Sequence, residues 1–167
     1  GKGYIGGVPG SDRIWSAYKK GNFGPYSGAW VPFYNVHKVY AGLRDAWVYC
    51  GNEQAKKLFL GLCDWAIDLT SGLTDAQVER TLHTEHGGMN EVLADAYAIT
   101  GDKKYLDVAK RFSHKRLLLP LSQRQDCLDN MHANTQVPKV VGFERIAELT
   151  DDEAYHNASA YFWDIVT

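Results

Sequence analysis

Tyr49-Cys50-Gly51-Asn52-Glu53, Ile99-Thr100-Gly101-Asp102-Lys103 and Leu149-Thr150-Asp151-Asp152-Glu153 each read as the end of one helix and the start of another, at intervals of fifty residues. Similar residues recur around each turn: Leu43, Leu93 and Phe143 before it, Ala46, Ala96 and Ile146 nearer to it, and Leu62, Phe112 and Phe162 after it. A helical hairpin repeated with a period near 50 residues marks an architecture in which no unit buries its apolar face alone. A histidine stands at or shortly before the first helix of each unit, namely His37, His86 and His132. Stacking the hairpins is therefore expected to bring three imidazoles to the same end of the array, which is the predicted functional end.

Outward from these turns the helical period is consistent. Val36, Tyr40, Leu43, Ala46 and Trp47 form one apolar stripe, predicting a helix from His37 to Tyr49 that Gly51 stops. Asn52 is the expected N-cap of a second helix, Glu53 to Leu69, which buries Phe59, Leu62, Trp65 and Ala66. Ser71-Gly72 breaks it, and Thr74 with Gln77 predicts a capping box for a short helix from Asp75 to about His83. The second unit is expected to run from Met89 to Ile99 and from Asp102 to Leu118. The third follows a loop at Pro120 to Asp129 and is expected from about Ala133 to Leu149, with Pro138 in or near its first turn, and from Asp152 to Val166. That last helix stays apolar through Tyr161, Phe162, Trp163, Ile165 and Val166, where a closed repeat array would present a polar face, so the chain reads as part of a longer protein. Residues 1–35 differ in texture. They are rich in glycine, hold Pro9, Pro25 and Pro32, and carry Trp15, Phe23, Tyr26, Trp30, Phe33 and Tyr34, which predicts an ordered loop laid over other structure with one short helix at Ser11 to Lys20.

Composition narrows the partners. With 45% hydrophobic residues, the 167-residue chain can build a real core, and a net charge of −2 from 18 basic and 20 acidic residues leaves no basic face for nucleic acid. No apolar run approaches the roughly 20 residues that a membrane-spanning helix needs. Cys50, Cys63 and Cys127 are odd in number and lack CxxC spacing; Cys50 and Cys63 read as small core residues. They do not decide between a periplasmic or secreted location and a cytoplasmic one.

His83-Thr84-Glu85-His86 is the densest polar cluster, but its histidines are spaced i, i+3, whereas a metal-binding helix usually spaces them i, i+4. Two other readings stay open for the cluster, solvated surface residues beside a turn and a ligand-facing role; the second is favoured because each repeat histidine has polar company a core would not need. His37 follows Trp30, Tyr34 and Asn35; His86 sits with Glu85, Asn90 and Glu91; His132 precedes Asn134, Thr135 and Gln136. Imidazole, amide and carboxylate groups among aromatic faces suit a molecule made of hydroxyls on an apolar ring, that is, a sugar. Glu85 and Glu91 are open to reading as a glycosidase-type acid/base pair or as helix-capping and ion-pairing residues. His114 and His156, on the second helices, read as surface residues, and Asn157-Ala158-Ser159 as a chance sequon on a helix.

At Trp30-Val31-Pro32-Phe33-Tyr34-Asn35-Val36-His37-Lys38, Glu85-His86-Gly87-Gly88-Met89-Asn90-Glu91 and His132-Ala133-Asn134-Thr135-Gln136-Val137-Pro138-Lys139 the chain resembles glycoside hydrolase family 127 and its relative family 146, the β-L-arabinofuranosidases and related enzymes. The resemblance covers essentially all 167 residues. It implies an all-α fold, about half of an (α/α)6 toroid, within one partial catalytic domain comprising a loop region at 1–35 and helical hairpins at 36–167. It also implies retaining hydrolysis of terminal β-L-arabinofuranosyl residues of plant glycans. By motif, His37, His86 and His132 match sugar-binding histidines. Asn90, Asn134, Gln136, Glu85, Tyr34 and Trp30 are further expected contacts. The family's nucleophile is a cysteine thiolate activated by zinc, with a separate glutamate as acid/base; these are expected after the His132 motif, beyond Thr167, and Cys50, Cys63 and Cys127 match none of them. The expected partners are the carbohydrate and the remainder of the same polypeptide, and residues 1–167 alone are expected to hold no zinc and no catalytic group.

Two rivals belong to other classes. A helical-repeat module binding a protein or peptide in a groove explains the period but not the gathering of His, Asn and Gln at one end. A small metalloprotein would use His83, Glu85 and His86.

Overall fold

A computed structural model describes residues 3–23 and 31–167. Among them every regular element is a helix: α1 (Ser11–Lys19), α2 (Pro32–Cys50), α3 (Glu53–Thr70), α4 (Asp75–Thr81), α5 (Met89–Thr100), α6 (Lys103–Arg111), α7 (Lys115–Ser122), α8 (Ala133–Thr150) and α9 (Glu153–Val166). The all-α class expected from the periodicity is the observed one. The chain divides into two compact units, Gly1–Gly87 and Gly88–Thr167.

The three turns quoted above share one construction. Gly51 (φ 65°), Gly101 (φ 71°) and Asp151 (φ 52°) take the left-handed conformation that closes a helix, and the next residue caps the following one. The Asn52 side chain accepts from Ala55 N, Asp102 from Lys104 N and Asp152 from Ala154 N, each satisfying an amide that a helix start leaves over. Asp151 does with a side chain what its two counterparts do without one, a conformation that an L-residue adopts at a cost.

In the first unit α2 pairs with α3. Phe59, Leu62, Cys63 and Ala66 are sealed in that seam, and the Tyr40 hydroxyl donates to the Leu62 carbonyl at 2.5 Å. Burial pushes the Tyr40 hydroxyl well above the ordinary tyrosine range, so it stays a proton donor. The described part of the N-terminal segment lies over α3 as expected. Trp15 packs on Trp65 with ring centroids 4.9 Å apart and on Phe33 at 5.4 Å, and Tyr4 on Trp65 at 5.0 Å. Helix α4 opens on the predicted Thr74–Gln77 capping box.

The second unit stacks two hairpins. Helix α5 packs on α6 and on α8, α8 on α9, and α9 on α7. Repeat-equivalent positions meet between the hairpins, with Arg145 Nε 2.7 Å from Asp95 Oδ1, fifty residues away. Leu93, Ala96, Phe112, Phe143, Ile146 and Phe162 are buried, as the recurring apolar positions require.

Several expectations need correction. Helix α2 begins at Pro32, not at His37; proline fits the first helical turn because its missing N–H has no intrahelical partner there. The helix expected from Asp102 to Leu118 is two. After Arg111, Phe112 N turns to the carbonyls of Val108 and Ala109, Ser113 Oγ bonds back to Ala109 O, and His114 is extended at φ −63°, ψ 101° as the N-cap of α7. The break lets Phe112, Ser113, His114 and Leu117 all be buried, which one straight helix would not do. Pro120, expected in a loop, lies inside α7, and Pro138 is inside α8 beyond its first turn, so neither can donate to the carbonyl four residues earlier. Cys63 is buried as expected, but Cys50 is exposed at the last position of α2.

Candidate functional site

In the first unit, His37 occupies the second turn of α2, a position delivered by the early start at Pro32. The residues before it set the face. Phe33 and Val36 go into the core, while Tyr34 is half-buried with the Lys38 ammonium 4.6 Å from its ring centre. The same turn borders a hollow of about 350 Å³ lined by Gly6, Gly7, Val8, Pro9, Asn35, Val36 and Val39. His37 itself is 8% exposed, and its Nδ1 is enclosed without a hydrogen-bond partner among the described residues. Its pKa is lowered to about 4, first by burial and then by the charges of Lys38 and Arg44, so the ring is neutral at pH 7.

The His37 ring lies against the backbone of Gly87, the residue after His86. Two of the three motifs are thereby adjacent in space although fifty residues apart in sequence. Gly87 has φ +59°, and the turn it makes leaves His86 fully buried, Glu85 half-buried and His83 exposed. Trp30, an expected contact, lies outside the described residues.

In the second unit Asn90 is in the first turn of α5 and wholly buried. Its Nδ2 donates to the Lys139 carbonyl on α8 at 2.9 Å, and its Oδ1 is enclosed without a hydrogen-bond partner among the described residues. Gly142 makes this approach possible, since a Cβ there would lie closer than 3.0 Å to Asn90 Cγ, Oδ1 and Nδ2. Glu91, next in sequence, is half-buried in the same first turn, where a carboxylate complements the helix dipole. His132 is the N-cap of α8, exposed and making no side-chain cap bond; Asn134 is also exposed. Gln136 is buried, and its Oε1 is enclosed without a hydrogen-bond partner among the described residues.

A buried ionisable pair escaped the sequence reading. Lys139 is completely buried on α8 and its Nζ lies 3.0 Å from Nδ1 of His114, which is 4% exposed and not the surface residue expected. Which group donates is set by the protonation of the amine and the tautomer of the ring. The signal for Lys139 was present, because it shares the buried stripe of Gln136, Phe143 and Ile146 at helical spacing. The signal for His114 was not, since its burial follows from the break between α6 and α7. His156 is exposed as expected, with Nδ1 3.0 Å from Glu144 Oε1.

Each unit thus carries motif side chains with enclosed polar atoms that have no hydrogen-bond partner among the described residues, His37 Nδ1 in the first and Asn90 Oδ1 and Gln136 Oε1 in the second. The family model described as "Beta-L-arabinofuranosidase, GH127 catalytic domain" matches residues 1–167, and the chain belongs to that family of glycosidases. No individual curated protein gives a significant match.

Proposed function

We propose that residues 1–167 supply the sugar-holding part of an enzyme that hydrolyses terminal β-L-arabinofuranosyl residues of glycans, with retention, within a half-toroid of helical hairpins. The observation that carries the reading is the family match over residues 1–167, the span that contains the three histidine motifs. Two features support it. His37 is a neutral imidazole, able to exchange a hydrogen bond with a hydroxyl and placing no charge beside it. Buried oxygens of Asn90 and Gln136 have no protein partner among the described residues, and native proteins seldom leave such atoms unpaired. In this reading His37, His86 and His132 hold the arabinofuranose hydroxyls. Asn90, Asn134, Gln136, Glu85, Tyr34 and Trp30 complete the surround.

The chemical step belongs to other residues. A family enzyme's zinc, when bound, lowers the pKa of a cysteine thiol so that it attacks as thiolate. The cysteines here do not fit that centre. Cys63 is sealed between α2 and α3, Cys50 is exposed at a helix end, and burial, followed by the charge of Asp126, raises the Cys127 thiol rather than lowering it. Within each unit, none of the three groups with two further histidine, cysteine or carboxylate ligands among the described residues. The nucleophile, its zinc and the acid/base glutamate are therefore assigned to sequence following Thr167, and residues 1–167 alone are expected to be inactive.

The test is substitution in the intact enzyme. His132→Ala and His86→Gln should each lower kcat/KM for an aryl β-L-arabinofuranoside by about a hundredfold, the scale seen when a hydrogen bond to the transition state is removed. Unaltered rates in properly folded variants would overturn the role.

A further inference from the structure

Gly87 belongs to the central motif, yet it has no side chain to offer a ligand. Its place in the fold indicates what it does. A Cβ built on Gly87 would overlap His37 Nδ1 and come within 2.9 Å of His37 Cγ and 3.2 Å of its Cβ. The Nδ1 side of the imidazole thus lies against Gly87, in the volume that a side chain there would fill. Gly87 also has φ +59°, so the turn after His86 and the seat for His37 are made by the same residue.

The seat has a chemical consequence. Nδ1 faces it, fully enclosed and with no hydrogen-bond partner among the described residues. A proton on Nδ1 would be a buried donor with nothing to bond, which native structures avoid. A bare lone pair there costs less, so the single proton of the neutral ring belongs on the other nitrogen, Nε2.

We infer that Gly87 is a positioning residue for His37: it seats the imidazole and holds it as the Nε2–H tautomer, so that His37 acts as a hydrogen-bond donor to a sugar hydroxyl oxygen. The inference rests on the proposed sugar-holding role of His37 and adds which atom makes the contact and which residue enforces it. Gly87 acts entirely through His37 and touches no substrate.

A double-mutant cycle on the intact enzyme tests it, using kcat/KM on an aryl β-L-arabinofuranoside. His37→Ala alone should lower kcat/KM about a hundredfold; if it does not, the sugar-holding reading of His37 falls, and this inference with it. Gly87→Ala alone should cost about tenfold or more, because a displaced donor loses its alignment. Added to His37→Ala, it should cost less than about twofold, since the group it displaces is already gone. An equal penalty in both backgrounds would overturn the positioning role while leaving the role of His37 standing. Gly87→Asn separates contact from backbone strain, because asparagine accepts a left-handed backbone but still carries a Cβ. It should be as impaired as Gly87→Ala, and recovery of native rates would refute the contact. With histidines labelled by heavy nitrogen, NMR should report the His37 proton on Nε2 in the native enzyme and lose that preference in Gly87→Asn. A proton found on Nδ1 in the native enzyme would refute the tautomer assignment.

Discussion

Replacing glycine by alanine at two repeat-equivalent positions should move stability in opposite directions. Gly42 and Gly142 lie a hundred residues apart, two periods, in the interiors of α2 and α8. In a helix interior, alanine is favoured over glycine by about 1 kcal/mol. At Gly42, which is exposed, a new Cβ meets nothing within 4 Å, so that gain is the whole effect. At Gly142 the Cβ would collide with three Asn90 side-chain atoms, and Asn90 is itself fully buried and bonded to Lys139 O. Overpacking costs about 1–3 kcal/mol, and a buried amide left unpaired costs about 1–3 kcal/mol. Set against the propensity gain, the expected net loss is about 3 kcal/mol, or a Tm lower by roughly 6–12 °C for a chain of this size. Urea or thermal unfolding followed by circular dichroism measures both variants. In an Asn90→Ala background the collision is gone, and Gly142→Ala should become stabilising like its counterpart. If Gly142→Ala is as stable as native in the unmodified background, the close α5–α8 approach through Asn90 is wrong.

Other outcomes follow from the same geometry. Asp151→Gly should stabilise by up to about 1 kcal/mol in the same assay, because Gly51 and Gly101 make the equivalent turn without a Cβ; destabilisation would show that Asp151 gains more from its side chain than strain costs. Asn52→Ala removes the cap on Ala55 N and should cost about 1 kcal/mol, whereas Asn52→Asp should retain most of it. The folded pKa of His37, about 4, lies below its ordinary 6.5, so unfolding takes up a proton between these values and stability falls as pH drops from 6.5 through 4. His37→Gln should flatten that part of the stability-against-pH curve, and an unchanged slope would show that His37 is not the group responsible. Arg145→Met should loosen the α5–α8 seam by breaking the bond to Asp95; because Arg145 is one-third exposed, the effect should be modest, about 1 kcal/mol or less.

Much of the architecture was readable from local chemistry. The alternation of left-handed turn and Asx cap at Gly51-Asn52, Gly101-Asp102 and Asp151-Asp152 fixes where hairpins turn, because backbone groups at helix ends must be satisfied by residues within a few positions. The capping box at Thr74–Gln77 and the apolar stripes of α3 and α8 are equally local. Errors arose where burial overrode pattern. Nothing in Lys110-Arg111-Phe112-Ser113-His114 signals a break by propensity; it occurs because Phe112, Leu117 and Tyr105 must all reach one core. Val31 has no capping side chain, so the start of α2 at Pro32 carried no sequence signature of a cap.

The sequence by itself determined the helical class, the fifty-residue period and the three histidine motifs, all matters of residue type at short spacing. Tertiary structure alone decided that the His37 ring would rest on Gly87, that Asn90 would lodge against Gly142, and that Lys139 and His114 would meet out of water. Those contacts join residues 25 to 52 positions apart. Which atoms touch depends on how helices pack at ångström precision, and the residue pattern along one chain carries no record of that distance.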